Sequence, residues 1–197
     1  MKRIILLLSL FLSKLVFSQV IIGGASGSTP NDKKAAVLLE FENGLNKGII
    51  LPYVRTLPSG IGLEGGTMLL DSTDPTKARV KYYAPGNPNA DTNGWVNLSQ
   101  KSEANLILPT DYMQIQPTSI GVHAVLEDLN GGVIIGSETS NAKGVLILES
   151  TTRSLILPKV SSTDLIKNPA PGMVVYLNGV NKRFAVFNGA KWTFWAP

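Results

Sequence analysis

Asn89, Asp91 and Asn93 place oxygen-bearing side chains at alternate positions before Gly94, which is how a calcium-binding loop opens. Such a loop needs a bidentate Glu near its end, where Gln100 stands, so the segment would hold calcium only weakly and reads more simply as a polar turn. No other cofactor is expected. Gly60, Gly62 and Gly65 have the spacing of a dinucleotide fingerprint, yet Pro58-Ser59 precede them and a strand-like run follows. That chemistry needs a helix N-terminus to meet the pyrophosphate, so a glycine-rich loop between strands is the better reading. His123 is the single histidine and there is no cysteine, which excludes a thiol nucleophile, a Cys-ligated metal and a lipid-anchored cysteine. No carboxylates stand at a spacing that suggests glycoside hydrolysis. No catalytic residue is nominated, and the chain is expected not to be an enzyme.

The aromatic residues form the remaining candidate ligand site. Tyr82, Tyr83 and Trp95 recur as Phe187, Trp192 and Trp195. Rings in such a pattern either stack on sugar faces or seal a small core or a subunit interface. Sealing is favoured, because no disulfide is available to hold small units together. Asp71-Ser72-Thr73 has the form of a short O-glycosylation signal with Ser72 as acceptor, and Asn97-Leu98-Ser99 is a sequon.

These residues sit on a series of short strands. Runs at 37–41, 48–51, 67–70, 79–83, 95–98, 105–108, 120–126, 133–136, 145–149, 155–157, 173–177, 183–187 and 192–195 are rich in Val, Ile, Leu and aromatics. Gly, Pro, Asn and Ser bound them at intervals near ten residues, the pattern of a mainly β chain. One helical turn is predicted at 161–167, capped by Ser161 with Asp164 and ended at Asn168-Pro169. Leu51-Pro52, Leu108-Pro109 and Leu157-Pro158 each end a run, since proline lacks the amide that pairing needs.

The runs repeat. Val37 to Glu40 returns as Leu146 to Glu149, and Lys47 to Pro52 with Val54 returns as Arg153 to Pro158 with Val160. Thr67 to Leu70 returns at Gly172 to Tyr176, Arg79 to Tyr83 at Arg183 to Phe187, and Gly94-Trp95 at Trp192. A tandem repeat implies that each unit buries its core against a neighbour. The organisation read from this is a signal peptide at 1–18, a flexible leader at 19–34, a first β repeat at 35–99, a β-rich connector at 100–143 and a second repeat at 144–197.

Lys2 and Arg3, the apolar run from Ile4 to Phe17, and small residues up to Ser18 predict export with cleavage between Ser18 and Gln19. The run is shorter than the roughly 20 apolar residues that span a bilayer. No transmembrane segment is expected in the mature chain, which would lie outside the cell or at its surface, with the periplasm as the other destination. The whole sequence has a formal charge of +4, but Lys2, Arg3 and Lys14 leave with the first 18 residues. A near-neutral remainder offers nucleic acid no electrostatic footprint. The chain ends inside the second repeat, so surface display would depend on a partner.

The second repeat resembles a segment of secreted Bacteroidetes-type surface proteins and of some phage tail-fibre heads. The resemblance rests on Val133 to Ser137, Ser150-Thr151-Thr152-Arg153-Ser154-Leu155-Ile156-Leu157-Pro158, Pro169, Gly172 to Tyr176 and Phe187-Asn188-Gly189 to Trp192. Arg153-Ser154 depart from the usual Lys-Gly, which the first copy keeps as Lys47-Gly48. The resemblance implies a fibre-head-like or sandwich-like β module, and a structural or adhesive role in an adhesin or fibre. It also implies a homo-oligomer, with a trimer favoured and 173–177 and 183–187 at or near the interface. An accessory subunit of an outer-membrane secretion or gliding machine is the alternative, and a glycan-binding or glycan-hydrolysing protein the second.

Overall fold

The computed structural model describes residues 19–107 and 132–195. The cleavage-site Ser18, the leader before it, His123, Leu108-Pro109 and the run at 120–126 lie outside the described residues. Fourteen short strands make the described protein mainly β. They are β1 (Val20–Ile22), β2 (Val37–Phe41), β3 (Ile49–Ile50), β4 (Tyr53–Val54), β5 (Met68–Asp71), β6 (Arg79–Tyr83) and β7 (Trp95–Asn97). The second set is β8 (Val133–Ile135), β9 (Leu146–Leu148), β10 (Ser154–Leu155), β11 (Lys159–Val160), β12 (Met173–Leu177), β13 (Arg183–Phe187) and β14 (Trp192–Trp195).

The second seven repeat the pairings of the first. β1 lies parallel to β2 as β8 does to β9, and β4 lies parallel to β5 as β11 does to β12. The antiparallel meander β5-β6-β7 returns as β12-β13-β14. Register corrects the alignment read from sequence. Asp71 lies opposite Arg79 and Leu177 opposite Arg183, so Asp71 matches Leu177 and Met68 matches Val174. Aligning Met68 with Met173 is one residue out, and one residue moves a side chain to the other face of a sheet.

Three strands and one helical turn were not foreseen. β1 lies in the stretch read as a flexible leader; its Val20-Ile21-Ile22-Gly23 is the counterpart of Val133-Ile134-Ile135-Gly136. β4 and β11 are two residues long and each begins immediately after a Leu-Pro step. Pro52 and Pro158 do end β-pairing on one side, and their carbonyls then accept from Leu70 and Tyr176 as the chain joins a different sheet. A 3₁₀ turn at Asn31–Ala36 joins the expected one, which spans Thr163–Leu165. Its cap is Ser162 rather than Ser161, because so short a turn brings the Asp164 amide to the Ser162 hydroxyl at 3.1 Å. Residues 105–107 form no strand: Leu106 is fully buried with its amide on Pro75 O, and only Ala104 bridges to Ala78.

The main core lies between the two meanders. Leu51, Leu70, Val80 and Leu98 pack with Ala104, Leu106 and with Val174 and Val186 of the second repeat. A second cluster covers the opposite face of β12-β13, where Val160, Ile166, Val175, Leu177 and Ala185 meet Phe187 and Trp192. Alternation along the strands assigns these faces: Val174 and Val186 point one way, Val175 and Ala185 the other.

Candidate assembly surface

Two pairs of strands cross between the repeats, and they define how one unit docks on the next. β10 lies parallel to β2 with Leu155 opposite Leu39, and the Ile156 amide donates to Leu39 O at 2.8 Å. β3 lies antiparallel to β12 with Ile49 opposite Val174, and the Leu51 amide donates to Gly172 O at 3.0 Å. Gly48 permits this approach, since a Cβ there would fall 2.8 Å from Val174 O. Ser154 occupies the matching position in the second repeat without conflict, because β10 faces β2 instead and its hydroxyl donates to Ala36 O. The Tyr53 hydroxyl donates to Pro171 O at 2.7 Å and Trp195 Nε1 to Leu98 O at 2.9 Å across the same junction.

The junction is directional. The first repeat contributes β2 and β3, the second β10 and β12; a two-fold arrangement would also show β3 on β9 and β10 on β5. Among the described residues no third strand joins β9, which pairs with β8 alone. On β9 Leu146 is 44% exposed and Ile147 and Leu148 are half-buried, with Val145 just before the strand 57% exposed, while Val37 and Leu39 are buried where β10 covers β2. An apolar edge with neither lysine nor proline is one that proteins usually cover.

Two buried acids shape the first repeat. Glu40 on β2 is fully buried, and its Oε2 accepts from the Ser28 and Thr29 amides at 2.8 Å. Gln19 donates to its other oxygen. This carboxylate is what folds the 23–29 segment back onto β2, and Glu42 accepts from the Ser26 and Gly27 amides alongside it. Burial pushes the Glu40 carboxyl up, but hydrogen bonds from Thr29 and Ser28 and the charge of Lys34 outweigh it, leaving it below its ordinary 4.5. A lowered carboxyl contributes stability that is complete above pH 4.5 and is lost as pH falls through its folded value. Acid titration of unfolding should show this loss in the wild type and a shallower slope in Glu40→Gln; equal slopes would mean that Glu40 contributes none of it.

Asp71 is the second buried acid and pairs with Lys81 at 2.8 Å, with side chains 11% and 14% exposed. Burial pushes the Asp71 carboxyl up, yet the hydrogen bonds from Lys81 and from the Thr73 amide and hydroxyl bring it below its ordinary value. By register Asp71 and Lys81 occupy the positions of Leu177 and Ala185, so an ion pair stands where the second repeat has apolar core.

The nominated site residues do not gather into one surface. Tyr82 packs against the main core, whereas Tyr83 and Trp95 pair on the other face with ring centres 5.3 Å apart. Phe187 and Trp192 repeat that pair at 5.2 Å, packed against the second cluster. Trp95 is buried and Trp195 is exposed at the end of β14. Asp91 Oδ1 accepts from the Asn93 and Trp95 amides, and Asp91 Oδ2 lies 3.8 Å from Lys81. The Asn89 amide donates to Asn87 Oδ1. Asp91 Oδ1 thus faces amides of the loop and Oδ2 faces Lys81 on β6, and no group of three or more His, Cys, Asp or Glu gathers among the described residues. Ser72 is buried, with its amide on Val54 O, and Ser99 is buried with its hydroxyl accepting from the Val80 amide. Among the described residues no helix is long and apolar enough to cross a membrane.

One comparison bears on the exposed edge. Residues 134–196 match the family described as phage tail like trimerisation region. The matched stretch starts within β8 and runs through β14, so the open β8-β9 ribbon and the β12-β13-β14 meander both fall inside it. A trimerisation region is a structural kind of domain, and the likeness supports a tail-fibre-like segment in this chain. No curated protein and no solved structure matches the chain.

Proposed function

We propose that the protein is a secreted, non-catalytic component of a fibre-like or adhesive surface assembly, and that it acts as a homotrimer. The observation that carries this reading is the coincidence of the trimerisation match with the open apolar edge at β9. The directional junction between the repeats adds to it, because a heterologous contact either closes into a ring or continues. Light scattering on residues 19–197 is expected to give three times the chain mass at micromolar concentration. A stable monomer under those conditions would overturn the homotrimer. Export is read by the mass of protein recovered outside the cytoplasm, which is expected to begin at Gln19; full-length protein held in the membrane would overturn it.

A further inference from the structure

The junction inside the chain states what its open edges should meet. Val20 lies opposite Leu39 and Val133 opposite Leu146, so Leu146 holds in β9 the place that Leu39 holds in β2, which corrects by two residues the match of Val37 with Leu146 read from sequence. The Val133 amide donates to Val145 O and the Glu149 amide to Ile135 O, so residues 145 and 149 turn their backbone groups toward β8. Backbone groups alternate sides along a strand, so those of Leu146 and Leu148 face away from β8, where Leu39 O meets the Ile156 amide in β2. The strand type that fills this place in the first repeat is β10. Its counterpart is β3, since Leu51-Pro52 and Leu157-Pro158 follow the two strands alike. β3 has a side to spare: the Leu51 amide is spent on β12, so the neighbouring Ile50 amide points away from β12, and the Ile50 side chain is 52% exposed.

We propose that copies of the chain join head to tail by strand pairing, with β3 of one copy adding parallel to the outer edge of β9 in the next. The Ile50 amide then donates to Leu146 O as the Ile156 amide donates to Leu39 O within the chain. The same docking brings β10 of one copy beside Met68 of the other, repeating the way β3 lies beside Val174. The occupant is a second copy because the chain already contains this contact once, between its own repeats, and has one unused half of it at each end. The inference rests on the oligomeric reading above and specifies its contact.

The register puts Leu155 opposite Leu39, hence Ile49 opposite Leu146 and Ile50 opposite Ile147. The chain has no cysteine, so Ile50→Cys with Ile147→Cys supplies the only thiols. Mild oxidation of this variant is expected to give covalent dimers and trimers on a non-reducing denaturing gel. Ile50→Pro, which removes an amide that β12 does not use, is expected to convert the oligomer to monomer with an unchanged circular dichroism spectrum. If Ile50→Pro loses that spectrum, the cross-link alone decides. An oligomer that survives Ile50→Pro, or cysteines that stay reduced or link only within one chain, would overturn the strand pairing while leaving the homotrimer standing. A monomeric wild type would overturn both.

Discussion

Lys81→Ala alone is expected to lower unfolding stability by about 3 kcal/mol, because it leaves the buried Asp71 carboxylate without its cation. Asp71→Leu together with Lys81→Ala is expected to restore most of that loss and to fall within about 1 kcal/mol of the wild type. The double variant writes into β5-β6 the residues that the same fold already holds at Leu177 and Ala185, where they are buried in a packed apolar cluster. The comparison is unusually direct, since register fixes both positions on the same face of the same kind of hairpin. Urea unfolding of the two variants beside the wild type measures it. A double variant as unstable as Lys81→Ala would mean that the outer face of the first repeat cannot accept an apolar pair, and that the turn holding Asp91 near Lys81 is what sets the residue choice there.

How much of this was readable beforehand follows from what each signal encodes. The meander strands β5 to β7 and β12 to β14 are legible, because runs rich in β-branched and aromatic residues, bounded by Gly, Pro and Asn, report strands. The aromatic pair was half legible. Trp95 and Trp192 were seen to recur, but only register shows that Tyr83 and Phe187 are their partners and that Tyr82 belongs to the opposite face. The two-residue strands β3 and β10 looked like the ends of ordinary runs. Their sequence carries no mark of which sheet they join, since an edge is chosen by backbone groups that every residue has. Glu40 and Glu149 look alike at the ends of similar apolar runs. The first is buried because the segment around Ser28 turns its amides onto it, and nothing in the local pattern around Glu40 announces that return. β1 could have been found: Val-Ile-Ile-Gly occurs at 20 and again at 133, a signal hidden by the glycines and serines that follow the first copy.

Leu70→Ala is expected to cost about 3 kcal/mol, as truncation of a fully buried leucine usually does. Its more informative effect is on where the cost appears. Leu70 belongs to β5, but the cluster it fills also contains Val174 and Val186, so the core between the repeats is shared rather than divided. Tryptophan fluorescence separates the two halves, because Trp95 reports on β7 and Trp192 with Trp195 on β14. In a Trp95→Phe background only the β14 reporters remain. With a shared core, Leu70→Ala should move the unfolding midpoint seen by those reporters as far as the one seen by circular dichroism, since the molecule opens as one cooperative unit. If the β14 reporters keep the wild-type midpoint while circular dichroism shows an earlier loss, the repeats unfold independently. The contacts of Tyr53 with Pro171 and Trp195 with Leu98 would then be too weak to couple them.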